Sequence, residues 1–304
     1  MAFFHPMNRY LFITPWFLLL FACQDLGNLQ AVAAVPNSLD EISGMQVFTM
    51  PSGDVSFLSI NDSGNGPHLY SYIQSDQIYD QKVKGVSNID WEDIALSLTA
   101  DGTPEFVFIA DTGNNNNSRK SFQIIQVHAN EIGSSNSITS KTYPFIYEDM
   151  QDNLPSSGIY HDCEAIVYKE GRIYLFTKNR NKKFDGFTSI YSLDIKNEAT
   201  VAKLLNKVYI GSKRSTSRVT AADINPKGEV GLLTHNKVIL LNDFDESFSS
   251  FDKKIYELKH DSQKEAMAFI NDSVVLIADE RSKKGGGNVY KFELKASFLD
   301  VSRK

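Results

Sequence analysis

Short runs of alternating apolar and polar residues fill the chain from about residue 39 onward. They fall into five groups. In each group a first strand opens on an acidic or polar residue, a second ends in a polar cluster, and a third alternates apolar and polar positions. The five openings are Glu41-Ile-Ser-Gly-Met, Glu92-Asp-Ile-Ala-Leu, Glu164-Ala-Ile-Val-Tyr, Thr220-Ala-Ala-Asp-Ile and Glu265-Ala-Met-Ala-Phe. Repetition of one such unit predicts an all-β fold, a β-propeller.

Successive openings are 51, 72, 56 and 45 residues apart, which suits one four-stranded blade and its loops. We expect five blades; six stays open, because the 72-residue interval could hold an extra element. Candidate outer strands for the first four blades are residues 77–83, 141–147, 202–210 and 253–259. The fifth blade lacks one, so residues 29–35 are predicted to pair with residues 289–294 and close the ring, which removes exposed sheet edges.

The first 23 residues carry a separate signal. Residues 11–22 are an apolar run too short to span a bilayer, preceded by Arg9 and followed by Cys23. Leu20-Phe-Ala-Cys23 resembles the lipobox of bacterial lipoproteins, in which the cysteine is lipidated after cleavage; an ordinary secretory signal is the alternative. We expect a signal peptide at 1–22, a lipidated tether and closing strand at 23–38, and the propeller domain at 39–304. The protein would then be lipid-anchored in the bacterial cell envelope, outside the cytoplasm.

Charge narrows the choice of partner. The chain has 31 basic and 37 acidic residues, a net charge of −6, which argues against a nucleic-acid backbone. We expect a monomer that binds a small-molecule, carbohydrate or peptide ligand.

Inner-strand starts and second-strand ends converge on one rim of a propeller. The inner starts predict a ring of metal ligands, and oxygen-rich surroundings suit Ca²⁺; the ring residues are Glu41, Glu92, Glu164 and Glu265. An equally supported alternative is that these glutamates accept backbone hydrogen bonds from neighbouring blades. The strand ends predict a set of ligand-binding residues, namely Asp62, Asp111, Lys178, His235, Asp279 and Arg281.

Several motifs resemble those of a known group of proteins. They are Asn61-Asp-Ser-Gly-Asn65, Asn88-Ile-Asp-Trp-Glu-Asp-Ile-Ala95, Ala110-Asp-Thr-Gly-Asn-Asn115 with Arg119, and Asp162-Cys-Glu-Ala165 with Thr177-Lys178. Their order resembles exported bacterial propellers of the phytase-like (esterase-like phytase) type, most without an assigned activity. The glutamate ring also resembles that of five-bladed calcium-activated nucleotidases, which implies Ca²⁺ on the axis, although the fourth blade departs with Thr220.

Two functions follow from this rim. The first is ligand binding at an acidic, calcium-containing rim. The alternative is calcium-assisted hydrolysis of phosphate or other anionic esters, with Lys178, Arg180 and Arg281 holding the anion and His235 or a carboxylate activating water. His235, Lys178 and Arg180 are therefore the catalytic candidates, and no nucleophile–base pair singles out catalysis.

The lipid anchor is testable by mutation. Replacing Cys23 by Ser should move the protein from the membrane fraction to the soluble fraction, because a cleaved signal leaves no other apolar anchor. Fractionation and immunoblotting measure this, with Cys163→Ser as the matched control. Retention of the Cys23 variant in the membrane would contradict lipidation.

Overall fold

A computed structural model describes residues 25–49, 55–72, 78–150, 161–283, 285–295 and 299–300. The predicted signal peptide and Cys23 lie outside them. Strands dominate, and the helical elements of these residues are four short 3₁₀ turns at Asn37–Leu39, Ala129–Glu131, Glu148–Met150 and Arg214–Thr216. None of the helices found within these ranges is long and apolar enough to cross a bilayer.

Five inner strands surround the axis, and each contacts the next until the last contacts the first. In chain order they define blades 1 to 5: Ile42–Thr49, Trp91–Leu98, Cys163–Lys169, Ala221–Ile224 and Lys264–Asn271. Each pairs antiparallel with a second strand, namely Val55–Asn61, Pro104–Asp111, Arg172–Thr177, Val230–Leu233 and Val274–Asp279. The propeller predicted from the repeats is confirmed.

Third and outer strands complete each sheet. The third strands are His68–Tyr72, Phe122–His128, Phe187–Asp194, Lys237–Asn242 and Asn288–Glu293. The outer strands of blades 1 to 4 are Ile78–Val83, Ser140–Tyr147, Val201–Tyr209 and Asp252–Glu257. Two short strands extend sheet edges: Ser137–Ile138 runs parallel to the outer strand of blade 1, and Leu299–Asp300 antiparallel to that of blade 4.

The ring closes through the N-terminal segment, as predicted. Gln30–Ala34 pairs antiparallel with Asn288–Glu293 and supplies the outer strand of blade 5. Two further contacts secure its end: Val35 N–H donates to Gly287 O at 2.8 Å, and Arg281 donates to Val35 O at 2.7 Å.

Apolar layers fill the spaces between neighbouring blades. There is one layer for each adjacent pair, including the pair of blades 5 and 1. Trp91, fully buried, packs in the layer between blades 1 and 2. Successive side chains of a strand point to opposite faces of the sheet. Both faces of a blade are covered by neighbouring blades, so apolar side chains lie on both faces.

Two buried aspartates on the inner strands join blades across the axis. Asp93 of blade 2 accepts the backbone N–H of Ile166 in blade 3 at 2.8 Å and of Ala222 in blade 4 at 3.3 Å. Asp223 of blade 4 accepts Phe269 N–H of blade 5 at 2.7 Å and Gln46 Nε2 of blade 1 at 3.0 Å. All five inner strands are therefore linked through two carboxylates.

Deleting residues 29–35 should lower the free energy of unfolding by several kcal/mol, because it exposes the edge of blade 5 and removes the contacts of Val35. Urea denaturation measures the loss. Val32→Ser is the control, since this side chain is 46% exposed and its loss should change stability little. A deletion variant as stable as the parent would show that closure does not depend on this strand.

Candidate functional site

Three of the predicted glutamates share one unusual backbone position. Glu92, Glu164 and Glu265 are each the extra residue of a β-bulge at the start of an inner strand. A bulge leaves its extra residue out of the ladder and re-aims its side chain. In blade 1 the same irregularity lies between Ser43 and Met45, so Gly44 and not Glu41 is the equivalent residue.

The four glutamates therefore do not form one ring. Glu41 precedes its strand, is exposed, and accepts a hydrogen bond from Asn65 Nδ2 at 3.1 Å. Glu92 and Glu164 lie together with Asp162, their carboxylate oxygens within 4.8 Å of one another. Glu265 approaches this group only through Lys178, whose Nζ lies 3.7 Å from Glu265 Oε2. The alternative role, bracing of the blades, falls largely to Asp93 and Asp223.

A second cluster, which we call the acidic triad, consists of Asp62, Asp90 and Glu92. Their carboxylate oxygens also lie within 4.8 Å of one another. Asp62 follows the second strand of blade 1, whereas Asp90 and Glu92 flank the first residue of the inner strand of blade 2. Asn88 holds the two blades together here, donating to Asn61 O at 3.0 Å and Asp62 O at 2.9 Å.

One carboxylate oxygen of the triad has no hydrogen-bond partner. Glu92 is 2% exposed, and its Oε1 is buried without a hydrogen-bond partner. None of the three carboxylates forms an ion pair with any basic side chain that the structure describes. Gly113 lies directly against them: a Cβ there would overlap Glu92 Oε1 and the Asp90 carboxylate. A buried anion without a partner is costly, and that cost is relieved either by protonation of a carboxyl group or by a bound cation.

The neighbouring carboxylates are neutralised by basic residues of blade 3. Lys178 Nζ lies 2.7 Å from Glu164 Oε2, and Arg180 binds Glu164 Oε1 at 2.8 Å while its Nε donates to Asp162. Burial alone would raise the pKa of Glu164, but Lys178 and Arg180 outweigh it and lower that pKa below its usual range. Lys178 and Arg180 are thus committed to carboxylates of the protein itself.

His235 lies at the same rim, on the side of blades 4 and 5. Its Nε2 is 3.2 Å from Glu265 Oε1. It also lines a cavity of about 430 Å³ together with Lys213, Thr216 and Glu280. A larger cavity, about 550 Å³, lies at the opposite end of blade 3, beside the turn between Lys169 and Arg172.

The remaining predicted ligand-binding residues have structural partners. Asp111 pairs with Arg119 at 3.0 Å and accepts Gln123 Nε2 at 2.8 Å. Asp279 accepts Asn288 N–H and Tyr290 O–H, both at 2.9 Å. The register explains this: Lys178 lies one position beyond Asp111 and Asp279, because Thr177 is the residue opposite Cys163. A one-residue shift in a strand reverses the side chain's face.

Sequence reasoning missed Asp90 and Arg218 as rim residues. A signal for Asp90 was available, because Asp90-Trp-Glu92 and Asp162-Cys-Glu164 repeat the same Asp-x-Glu spacing in blades 2 and 3. Arg218 belongs to no repeated pattern, and only the structure places it near the other rim residues.

The comparisons with known proteins found distant similarity to solved structures. The chain matches no protein-family model and no curated protein. Among solved structures it is similar to virginiamycin B lyase from Staphylococcus aureus, at 12% identity, covering 86% of this chain and 69% of that one, with a TM-score of 0.40. It is also similar to the calcium-binding protein regucalcin from Agrobacterium tumefaciens, at 11% identity, covering 90% and 98%, with a TM-score of 0.41. At this distance the likeness concerns the fold alone.

Burial, and then crowding of carboxylates, raises several pKa values. Burial, and then Asp90 and Glu164, raise the pKa of Asp62 to about 7. Burial, and then Glu265 and Asp62, raise the pKa of Glu280 to about 8. For Glu92, burial followed by Glu164 raises the pKa well above its usual range.

These shifts predict a pH-dependent stability. A carboxyl group with a raised folded-state pKa stabilises the fold below its unfolded pKa of about 4, and this contribution is lost as pH rises through the folded value. The metal-free protein should therefore be less stable at pH 8.0 than at pH 5.5, and Asp62→Asn should reduce that loss. Denaturation in chelator at both pH values measures it. Constant or increasing stability across this range would contradict the assignment.

Proposed function

We propose that the protein is a cell-envelope lipoprotein whose propeller binds a ligand at the acidic end of its axis, with Ca²⁺ held by the acidic triad. The observation that carries this proposal is the buried Glu92 Oε1, which has no hydrogen-bond partner, in a carboxylate grouped with those of Asp62 and Asp90; Gly113, without a side chain, lets the Glu92 and Asp90 carboxylates approach its backbone. The lipobox-like segment and the motif resemblance to exported phytase-like propellers support the location.

The donor set suits Ca²⁺. Two oxygens bound to one Ca²⁺ at about 2.3–2.6 Å cannot be more than about 5 Å apart, and those of the triad lie within 4.8 Å. All donors are carboxylates, whereas zinc sites prefer nitrogen and sulfur ligands. Ca²⁺ takes about six to eight oxygens, so three side chains leave coordination positions for water or for oxygens of a ligand.

The partners of the basic residues favour ligand binding over hydrolysis. Lys178 and Arg180 are paired with Glu164 and Asp162, and Arg281 donates to Val35 O at the closing strand. The three cations that the hydrolytic alternative assigns to the anion are thus engaged elsewhere. His235 contacts Glu265 on the side of blades 4 and 5.

Calorimetric titration of chelator-treated protein with Ca²⁺ tests the proposal. Glu92→Gln and Asp90→Asn should each weaken Ca²⁺ binding about ten-fold or more, because each removes a charged ligand. Ca²⁺ should also raise the melting temperature of the parent as mass action requires.

Glu41→Gln is the matched control. It removes a glutamate from the same rim, but one that is exposed and bonded to Asn65, so Ca²⁺ affinity should change little. Equal losses in the Glu41 and Glu92 variants would favour a ring of four glutamates over the triad. Absence of Ca²⁺ binding in the parent would refute the metal site.

A further inference from the structure

Arg218 differs from the other basic residues of the rim. It lies two residues before Thr220, in the segment that leads into the inner strand of blade 4, and is half-buried. Within the described ranges it forms no ion pair and no hydrogen bond, and its Nε is shielded from solvent without a partner. A guanidinium presents N–H donors in a planar fork and has no acceptor, so an oxyanion is the partner that would satisfy the shielded Nε–H together with a neighbouring donor of the fork.

Three basic residues near Arg218 already have partners within the chain. Lys178 and Arg180 bind carboxylates of blade 3. Arg214 donates to Lys182 O at 3.0 Å and to Asn181 O, and its guanidinium lies over the Phe184 ring, 5.3 Å from the ring centroid. Arg218 alone among these four residues keeps its donors available.

The backbone that carries Arg218 is held from both sides. Arg214 ties this segment to the loop of blade 3, as described above. Lys237 Nζ donates to Ser217 Oγ at 3.4 Å, and Thr216 N–H donates to Lys213 O at 3.0 Å. A side chain mounted on a fixed backbone loses less conformational freedom on binding, which favours a recognition role.

Carboxylates near Arg218 do not satisfy it. Glu164 and Glu265 are close enough to raise its pKa, but burial and then Arg180 together lower that pKa below its usual range. Both glutamates already have partners, Glu164 in Lys178 and Arg180, and Glu265 in His235. An anion supplied from outside the chain would therefore meet a guanidinium without a competing partner.

We propose that Arg218 binds an oxyanion of the ligand, carried by a phosphate ester or a carboxylate. This rests on the proposed function, in which Ca²⁺ at the acidic triad provides a second contact for the same ligand. Arg218 is close enough to Glu164 for the two charges to interact, and the Glu164 carboxylate is grouped with that of Glu92, a member of the triad. The cavity of about 430 Å³ is lined by Lys213, Ser215 and Thr216, residues of the same segment two to five positions before Arg218, and offers space for the rest of the ligand.

The test uses the full chain and two probes, phenyl phosphate and benzoate, each titrated calorimetrically with and without Ca²⁺. Arg218→Gln should weaken binding of the preferred probe about ten-fold or more, as expected for loss of a charge-assisted hydrogen bond. Arg218→Lys should fall between parent and Gln variant, because it keeps the charge but not the fork. Preference for one probe identifies the ligand as a phosphate ester or a carboxylate.

Lys182→Gln is the matched control, since it removes an exposed positive charge from the adjacent loop and should leave probe binding unchanged. Ca²⁺ titration without probe separates the two proposals: Arg218→Gln should bind Ca²⁺ as tightly as the parent or more tightly. Probe binding that depends on Arg218 in a protein that binds no Ca²⁺ would sustain this inference and refute the metal site. Failure of both probes to bind the parent, or equal binding by parent and Arg218→Gln, would overturn it.

Discussion

Asp93 and Asp223 accept hydrogen bonds from other blades, and these bonds fix the inner strands relative to one another. The apolar layers between blades supply most of the burial, but apolar contact is not directional and does not by itself set how far one sheet slides along the next. The two carboxylates accept buried N–H groups, and an unpaired buried donor costs about 1–3 kcal/mol. These bonds therefore fix the relative positions of the inner strands, whose first residues carry the acidic side chains of the rim.

The rim is electrostatically divided because equivalent positions carry different residues. Each of three bulges presents a glutamate, but the residue after the paired end of the second strand is Thr112 in blade 2, Lys178 in blade 3 and Glu280 in blade 5. Glu164 is therefore neutralised within its own blade, whereas Glu92 is not. The repeat determines where the glutamates lie, and residues that differ between the blades determine which glutamate has a basic partner.

Strand periodicity was sufficient to predict the propeller, the order of its strands and the closing role of the N-terminal segment. These features depend on which residues are apolar, and that pattern can be read from short stretches of the sequence. The bulges are not visible in the same way: Glu41 aligns with the other glutamates by residue type, yet the irregularity in blade 1 falls at Gly44. Gly44 has a positive φ of 69°, and a Cβ there would lie 2.8 Å from Asp93 Cα.

The register of the second strands, like the bulges, could not be read from the sequence. Grouping Lys178 with Asp111 and Asp279 was an error of one position, and one position is enough to separate a rim side chain from a side chain bonded inside its own blade.

Closure by Gln30–Ala34 has a consequence for how the molecule folds. The closing pair joins residues that are 254 to 261 positions apart in sequence, so its loop-closure cost is higher than that of any pairing within a blade, and we expect it to form after the blades. A chain whose last blade has not yet emerged cannot complete its ring, and its partly folded forms expose the edge of whichever blade is newest.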